Sequence, residues 1–118
     1  IYTATVVDAF EFQKSHPCHN MLKIVFSPTA EEKGQTQIVA AREYCRDAAN
    51  EGLTIDLETL SEGDIARVLD GDGDINLKSL LGLMADIEVK QIHGQNHDFP
   101  FTFVSQIAPV GSLRKRRS

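Results

Sequence analysis

The chain has 118 residues, of which 42% are hydrophobic, and a formal net charge of −5. This length suits one compact domain, and the overall acidity excludes a broadly basic nucleic-acid binder, although it leaves room for one local basic groove. No apolar run approaches the roughly 20 residues of a membrane span and no signal-peptide pattern opens the sequence, so we expect no membrane partner.

The N-terminal third predicts two strands. Residues 1–12 are rich in β-branched and aromatic side chains and predict a long first strand, followed by a turn-rich loop over 13–20. Residues 21–27 alternate and predict a second strand, whose inward face would carry Leu22, Ile24 and Phe26. The next segment is ambiguous, because residues 36–40 suit a strand whereas residues 40–49 have the composition of a helix.

The middle of the chain is acidic and predicts helices. Twelve of the seventeen acidic residues lie between Ser27 and Leu77. Within this region the apolar spacing predicts a loop and helix over 51–71, and a short helix that ends near Gly82.

The stretch DGDGD, residues 70–74, suggests the start of a calcium loop. Such a loop needs glycine at its sixth position and a bidentate acid at its twelfth. With Asp70 first, these positions hold Ile75 and Leu81, and the other register loses ligands at its first and twelfth positions. We therefore predict a turn, with Asp74 or Asn76 capping the following helix.

The C-terminal part predicts a hairpin. Residues 84–92 alternate cleanly, residues 93–98 form a turn-rich loop, and residues 99–109 predict the last strand. Three strands, a helical segment and two more strands predict a mainly β chain. The expected fold is an OB-like five-stranded antiparallel barrel with helices between strands 3 and 4, and another α+β arrangement is the alternative. We expect the domain to cover residues 1–111 and a basic, disordered tail to cover residues 112–118.

Four segments in this order resemble the small single-stranded-DNA-binding OB proteins of tailed bacteriophages and their prophage relatives. They are YTATVVDAFEF (2–12), NMLKIVF (20–26), NLKSLLGL (76–83) and ADIEVKQIHGQNHDFPFTFVSQIAPV (85–110). The resemblance implies binding of single strands without sequence preference in DNA replication, recombination or repair. It also implies replication or recombination proteins as partners and the cytoplasm of a bacterial host as the compartment. Such proteins often end in an acidic tail, whereas this chain ends in SLRKRRS.

Single-strand binders combine stacking aromatic side chains with cations that follow the backbone. The first and fourth loops of an OB barrel border its ligand groove, so aromatic, lysine and histidine residues near these loops are the candidates. The candidates in these two regions are Phe12, Lys14, Lys23, Lys90, His93, Phe99 and Phe101. The basic run Arg114, Lys115, Arg116 and Arg117 could add a mobile arm that contacts phosphates.

Several alternatives stay open at the level of sequence. The acidic middle could be the contact surface of a protein-interaction module that binds no nucleic acid, and exposed strand edges could pair two copies into a homodimer. A zinc site could form from His16, Cys18 and His19, completed by His93 or His97, although the spacing matches no standard zinc motif. We favour reduced thiols for both cysteines, Cys18 and Cys45, and expect no cofactor.

An enzyme is not expected. No phosphate-binding glycine loop, nucleophile elbow or two-histidine metalloprotease motif is present in the sequence.

Overall fold

The computed structural model describes residues 2–15, 18–28, 40–92 and 101–112. Five strands form one antiparallel sheet with the spatial order β3-β2-β1-β4-β5. Their bounds are β1 Tyr2–Gln13, β2 Asn20–Pro28, β3 Ala40–Cys45, β4 Met84–Ile92 and β5 Phe101–Ala108. The predicted bounds of the fourth strand are confirmed, and those of the first, second and fifth are confirmed to within two residues.

The sheet curls into a half-barrel because β1 serves two neighbours in succession. Its first residues, Tyr2–Thr5, pair with β4, whereas residues 4–13 pair with β2. The edge strands β3 and β5 lie close to each other, but no ladder joins them within the described ranges. A long, bent first strand is the feature that lets a sheet of only five strands curl in this way.

The connection from β3 to β4 is helical, as the sequence predicts. It contains α1 (Glu51–Leu60), a 3-10 helix (Ile65–Val68) and α2 (Leu77–Leu80). Helix α1 packs against β4 and β5 through its apolar face, so it covers one side of the curled sheet. The buried apolar side chains of this face are Leu53, Leu57 and Leu60.

The core consists of the inward side chains of the strands and these helical residues. Its largest fully buried apolar members are Phe26, Leu22, Ile24, Leu60, Leu80 and Ile87. The predicted inward face of the second strand is therefore confirmed. The period-2 pattern of a half-buried strand makes this face readable from sequence alone.

The DGDGD stretch is a turn, as predicted. One carboxylate oxygen of Asp70 accepts hydrogen bonds from the backbone N–H groups of Asp72 (2.8 Å) and Asp74 (3.0 Å). Gly73 has φ of +83°, which a residue with a side chain rarely adopts. Asn76 occupies the N-cap position of α2, but its side chain makes no capping hydrogen bond.

The structure resolves the ambiguity between strand and helix after residue 36, because residues 40–45 form β3. Pairing with β2 overrides the helix preference of Ala40, Ala41 and Arg42. The expectation of two reduced cysteines is wrong, because Cys18 and Cys45 are joined as a disulfide.

Within the described ranges, none of the helices has both the length and the apolar character needed to cross a bilayer.

Candidate nucleic-acid interface

A β-bulge in β1 decides which way its aromatic side chains point. Before the bulge, the even-numbered Ala4 and Val6 face the core and are buried. The register with β2 shifts between Val6 and Asp8, so Val7 is the extra residue and the faces exchange beyond it. Phe10 and Phe12, which would otherwise share the inward face of Val6, therefore lie on the outside of the sheet.

The two outward phenylalanines form a pair with a lysine over it. The ring centroids of Phe10 and Phe12 lie 6.1 Å apart at an angle of 52°. Lys23, which pairs with Phe10 across the strands, places its Nζ 5.9 Å from the Phe10 centroid and 5.7 Å from the Phe12 centroid. Phe10 is 38% exposed and Phe12 is half-buried, so a planar ligand can reach the pair.

One acidic side chain, Glu43, offsets the positive charges of the two lysines on this surface. Glu43 of β3 lies 3.2 Å from Lys14 Nζ and 3.9 Å from Lys23 Nζ, through its two carboxylate oxygens. All three side chains are one-third or more exposed, so water weakens these ion pairs. Lys14 and Lys23 are therefore held side by side but can exchange Glu43 for another anion. We call Phe10, Phe12, Lys14, Lys23 and Glu43 the outer-face cluster.

Hydrogen bonds hold the loop between β1 and β2 beside this cluster. The Lys14 N–H donates to the His19 carbonyl at 2.8 Å. The Asp47 carboxylate, just beyond β3, accepts from the backbone N–H groups of His19 (2.7 Å) and Asn20 (3.0 Å) and from Asn20 Nδ2 (3.0 Å). The backbone N–H groups of His19 and Asn20 are the main reason that the pKa of Asp47 lies below its usual value.

A disulfide between Cys18 and Cys45 adds a covalent link between the same loop and β3. The expectation of two reduced thiols is therefore wrong for this structure. The physical reason is the strand register, since Met21 pairs with Cys45 and brings Cys18 to a Cα–Cα distance of 5.8 Å from it. A disulfide across a sequence separation of 27 residues stabilises the fold by about 3.5 kcal/mol, mainly by restricting the unfolded chain.

The other predicted site residues are placed as follows. Lys90 is exposed on β4, 3.6 Å from a carboxylate oxygen of Glu88. The pairing of Tyr2 with Ile87 puts Lys90 beyond the start of β1, whereas Lys14 follows its end, so the strand register does not bring them together. The backbone of Phe101, the first residue of β5, pairs with Ile92 of β4. The Phe101 side chain and the residues His93, Phe99, Arg114, Lys115, Arg116 and Arg117 lie outside the described residues.

The structure describes only part of the predicted zinc site. Cys18 is bonded to Cys45, and His16, His93 and His97 lie outside the described residues.

Arg46 is a cation near the cluster that sequence reasoning missed. It lines a cavity of about 230 Å³ at the end of the β1–β2 ladder. Its Nη1 atom is buried, has no hydrogen-bond partner among the described residues, and lies 3.9 Å from a Glu11 carboxylate oxygen. The other lining residues are Glu11, Phe12, Gln13, Asn20 and Met21. Arg46 was missed because its segment had helical composition, which hid its position at the end of a strand.

A buried polar group anchors β3 from the inner side, and sequence reasoning missed it too. The Tyr44 hydroxyl donates to Asp56 Oδ2 of α1 at 2.7 Å, and Arg42 Nε lies 3.3 Å from the same oxygen. Burial raises the pKa of Tyr44 far above its usual range, and the neighbouring Asp56 carboxylate adds to this shift. Burial also raises the pKa of Asp56, against the opposing effects of Tyr44 and Arg42. These contacts fix the strand that carries Glu43.

No protein-family model matches this chain, and no curated protein or solved structure is significantly similar to it. The resemblance to bacteriophage single-strand binders consequently stays a prediction from the sequence.

Proposed function

We propose that this chain is an OB-like protein of the bacteriophage type that binds single-stranded DNA without sequence preference. The observation that carries the proposal is the outward pair Phe10 and Phe12 with Lys23 over both rings. Stacking on an aromatic ring suits any base, because every base has a π-face. Lys23, over the rings, and Lys14, which shares Glu43 with it, supply charges for the phosphates between stacked bases.

The strand order supports the OB part of the proposal. In an OB barrel, β1 pairs with both β2 and β4, and the barrel closes where β3 meets β5. The curled sheet here has these pairings, and its edge strands β3 and β5 lie close to each other. The ligand then crosses the outer face of β1, β2 and β3, where the outer-face cluster lies.

The proposed mechanism exchanges one anion for another. A phosphate of the strand displaces Glu43 from Lys14 and Lys23, while bases stack on Phe10 and Phe12. The hairpin between β4 and β5, with Lys90, His93, Phe99 and Phe101, and the tail Arg114–Arg117 extend the contact in this proposal. The setting is DNA replication, recombination or repair in a bacterial host cytoplasm, alongside replication or recombination proteins.

The test is fluorescence anisotropy with a labelled mixed-sequence single strand of about 30 nucleotides, at low and moderate salt, with a duplex control. We expect the single strand to bind more tightly than the duplex, and binding to weaken as salt rises. Phe10→Ala and Phe12→Ala should each weaken binding about 5- to 150-fold, as expected when about 1–3 kcal/mol of stacking per base is lost.

Ile55→Ala is the matched control. Ile55 is an apolar side chain, 59% exposed, on α1 rather than on the strands. Its truncation should leave binding unchanged. The proposal is overturned if the wild type does not bind at low salt, or if the control weakens binding as much as Phe12→Ala.

A second candidate, from a different class, is a protein-interaction module. The observation that favours it is the same exposed Ile55, which lines a cavity of about 290 Å³ with Ala49, Asn50, Glu51 and Thr54. An apolar contact beside an acidic helix suits a basic peptide that presents one apolar anchor. If this candidate is correct, the chain ignores oligonucleotides, and Ile55→Ala weakens binding to such a peptide.

A further inference from the structure

Three metal-ligating side chains converge at the base of the β1–β2 loop. Cys18 Sγ, Cys45 Sγ and a carboxylate oxygen of Asp47 all lie within 4.8 Å of one another. Cys18 is buried, Cys45 is half-buried and Asp47 is exposed, so the group is anchored inside and open to solvent on one side. Thiolate and carboxylate are both ligands of Zn²⁺.

The hydrogen bonds of Asp47 leave one acceptor position directed at the cysteines. Among the described residues, its Oδ1 accepts from two donors, the backbone N–H and the side-chain amide of Asn20, whereas the His19 N–H is the one N–H donor to Oδ2. A carboxylate oxygen has two lone pairs, so Oδ2 keeps one. This oxygen lies 3.2 Å from Cys18 Sγ.

The surroundings of Cys18 favour a cation or a proton at its sulfur. Besides Asp47 Oδ2, the Asn20 carbonyl oxygen lies 3.1 Å from the same Sγ. Neither disulfide sulfur carries a hydrogen, so these two oxygens face Cys18 without a donor there. Reduction would supply an S–H donor, and a metal ion on the thiolate would place positive charge beside both oxygens.

We propose that the reduced form of this protein binds one Zn²⁺ through Cys18 Sγ, Cys45 Sγ and Asp47 Oδ2, with water as the fourth ligand. Zn–S bonds of about 2.3 Å place two tetrahedral sulfurs about 3.8 Å apart. The Cα atoms of the two cysteines are 5.8 Å apart, so rotation of the side chains can open this gap without moving the strands. The hydrogen bonds from His19 and Asn20 would orient Asp47 as outer partners of a metal ligand do.

The chemistry has two balanced steps. A dithiol reductant gives two electrons and two protons to the Cys18–Cys45 bond, which breaks into two thiols while the reductant becomes a disulfide. Zn²⁺ then displaces the two thiol protons and forms two Zn–S bonds. The site and the disulfide are therefore mutually exclusive, and the reducing bacterial cytoplasm of the proposed function would favour the metal form.

The test compares the reduced and oxidised forms of the same unsubstituted chain. The protein is reduced with a phosphine, and the phosphine is removed under anaerobic conditions. The reduced protein is then titrated with Zn²⁺ in competition with a chromophoric chelator. We expect one ion per reduced chain and none per oxidised chain. Co²⁺ in place of Zn²⁺ should show thiolate charge-transfer and tetrahedral d–d bands only in the reduced form, and Zn²⁺ should raise the Tm of that form alone.

Variants assign the ligands. Cys45→Ser should weaken the competition-derived affinity at least about 100-fold, and Asp47→Asn should weaken it at least about 10-fold, since even outer-shell losses cost about 10- to 100-fold. Asp72→Asn, an equal change in the exposed 70–74 turn, is the matched control and should not alter it. The proposal is overturned if reduced and oxidised wild type bind Zn²⁺ alike, or if folded Cys45→Ser keeps the wild-type affinity. Because the wild-type comparison needs no substitution, it decides the question even if a variant does not fold.

Discussion

Tyr44 is a buried polar residue, and burial is the main reason that the pKa of its hydroxyl lies far above the ordinary value. It lies 4% exposed on an edge strand, and its hydroxyl donates to Asp56 on α1. A hydrogen bond to a charged acceptor contributes about 1.5–3 kcal/mol, and the loss of one partner leaves the other buried. This hydroxyl group is therefore one of the links between the sheet edge and the helix.

We predict that Tyr44→Phe lowers the free energy of unfolding by about 1.5–3 kcal/mol near neutral pH, because Asp56 loses the hydroxyl donor and keeps only the ion pair with Arg42 among the described residues. Urea unfolding of the oxidised chain measures this difference. Tyr2→Phe is the matched control, since Tyr2 is only half-buried, and it should change the value by less than about 0.5 kcal/mol. An equal loss in both variants would contradict the assigned role of the Tyr44–Asp56 hydrogen bond.

The same hydroxyl should make stability fall at alkaline pH. The pKa of Tyr44 is raised in the folded state from an ordinary value of 10.0, so above this value the unfolded chain loses a proton that the folded chain keeps. The stability contribution is complete below the unfolded pKa and declines by about 1.4 kcal/mol per pH unit above it. The stability advantage of wild type over Tyr44→Phe should therefore shrink above about pH 10.

At the scale of elements, the clearest contrast is between the two helix starts. Asn50 caps α1, with Oδ1 accepting from Leu53 N–H at 3.1 Å, and its Nδ2 donates to the Cys45 carbonyl at 3.2 Å. Asn76 holds the same position before α2 but makes no side-chain cap. Only the first asparagine thus joins a helix to a strand.

We predict that Asn50→Ala lowers the free energy of unfolding by about 1–2 kcal/mol, whereas Asn76→Ala changes it by less than about 0.5 kcal/mol. The two substitutions are chemically identical. Thermal or urea unfolding of both variants therefore distinguishes the loss of a capping hydrogen bond from the general effect of replacing asparagine by alanine. Equal effects would mean that the Asn50 hydrogen bonds contribute little to stability.

The elements also show what sequence could and could not predict. Alternation in residues 84–92 and the Leu22, Ile24, Phe26 face are local patterns, so they were readable. The bulge at Val7 leaves no mark in composition, yet it alone turns Phe10 and Phe12 outward. Without the bulge, simple alternation along β1 would place Phe10 and Phe12 on the same face as the buried Val6.

Long-range contacts account for the remaining failures. The Cys18–Cys45 bond and the Asp47 contacts depend on the β2–β3 register, which no spacing in the sequence specifies. Asp56 looked like one of many acids in an acidic segment, and only the fold shows that it is buried beneath Tyr44. Lys14 and Lys23 were predicted because they flank a loop, but their shared partner Glu43 was not predicted.

At the scale of the whole molecule, charge is the obstacle to the proposed function. A chain with a net charge of −5 must bind a polyanion through a small positive area, and Glu43 offsets both lysines in that area. Removal of the Glu43 charge should raise the local positive potential without altering the aromatic pair. Because these side chains are exposed, the effect on folding stability should stay below about 1 kcal/mol.

We predict that Glu43→Gln tightens binding of the single strand several-fold at low salt, with a smaller gain at moderate salt. The gain shrinks because salt screens interactions between exposed charges, over a screening length of about 10 Å at 0.1 M. Glu58→Gln, on the exposed side of α1, changes net charge equally and is the matched control. The anisotropy titration described above measures both variants. Equal gains would assign the effect to net charge, and weaker binding by Glu43→Gln would mean that Glu43 positions the lysines rather than competing with phosphate. Either result would overturn the proposed exchange of Glu43 for a phosphate of the strand.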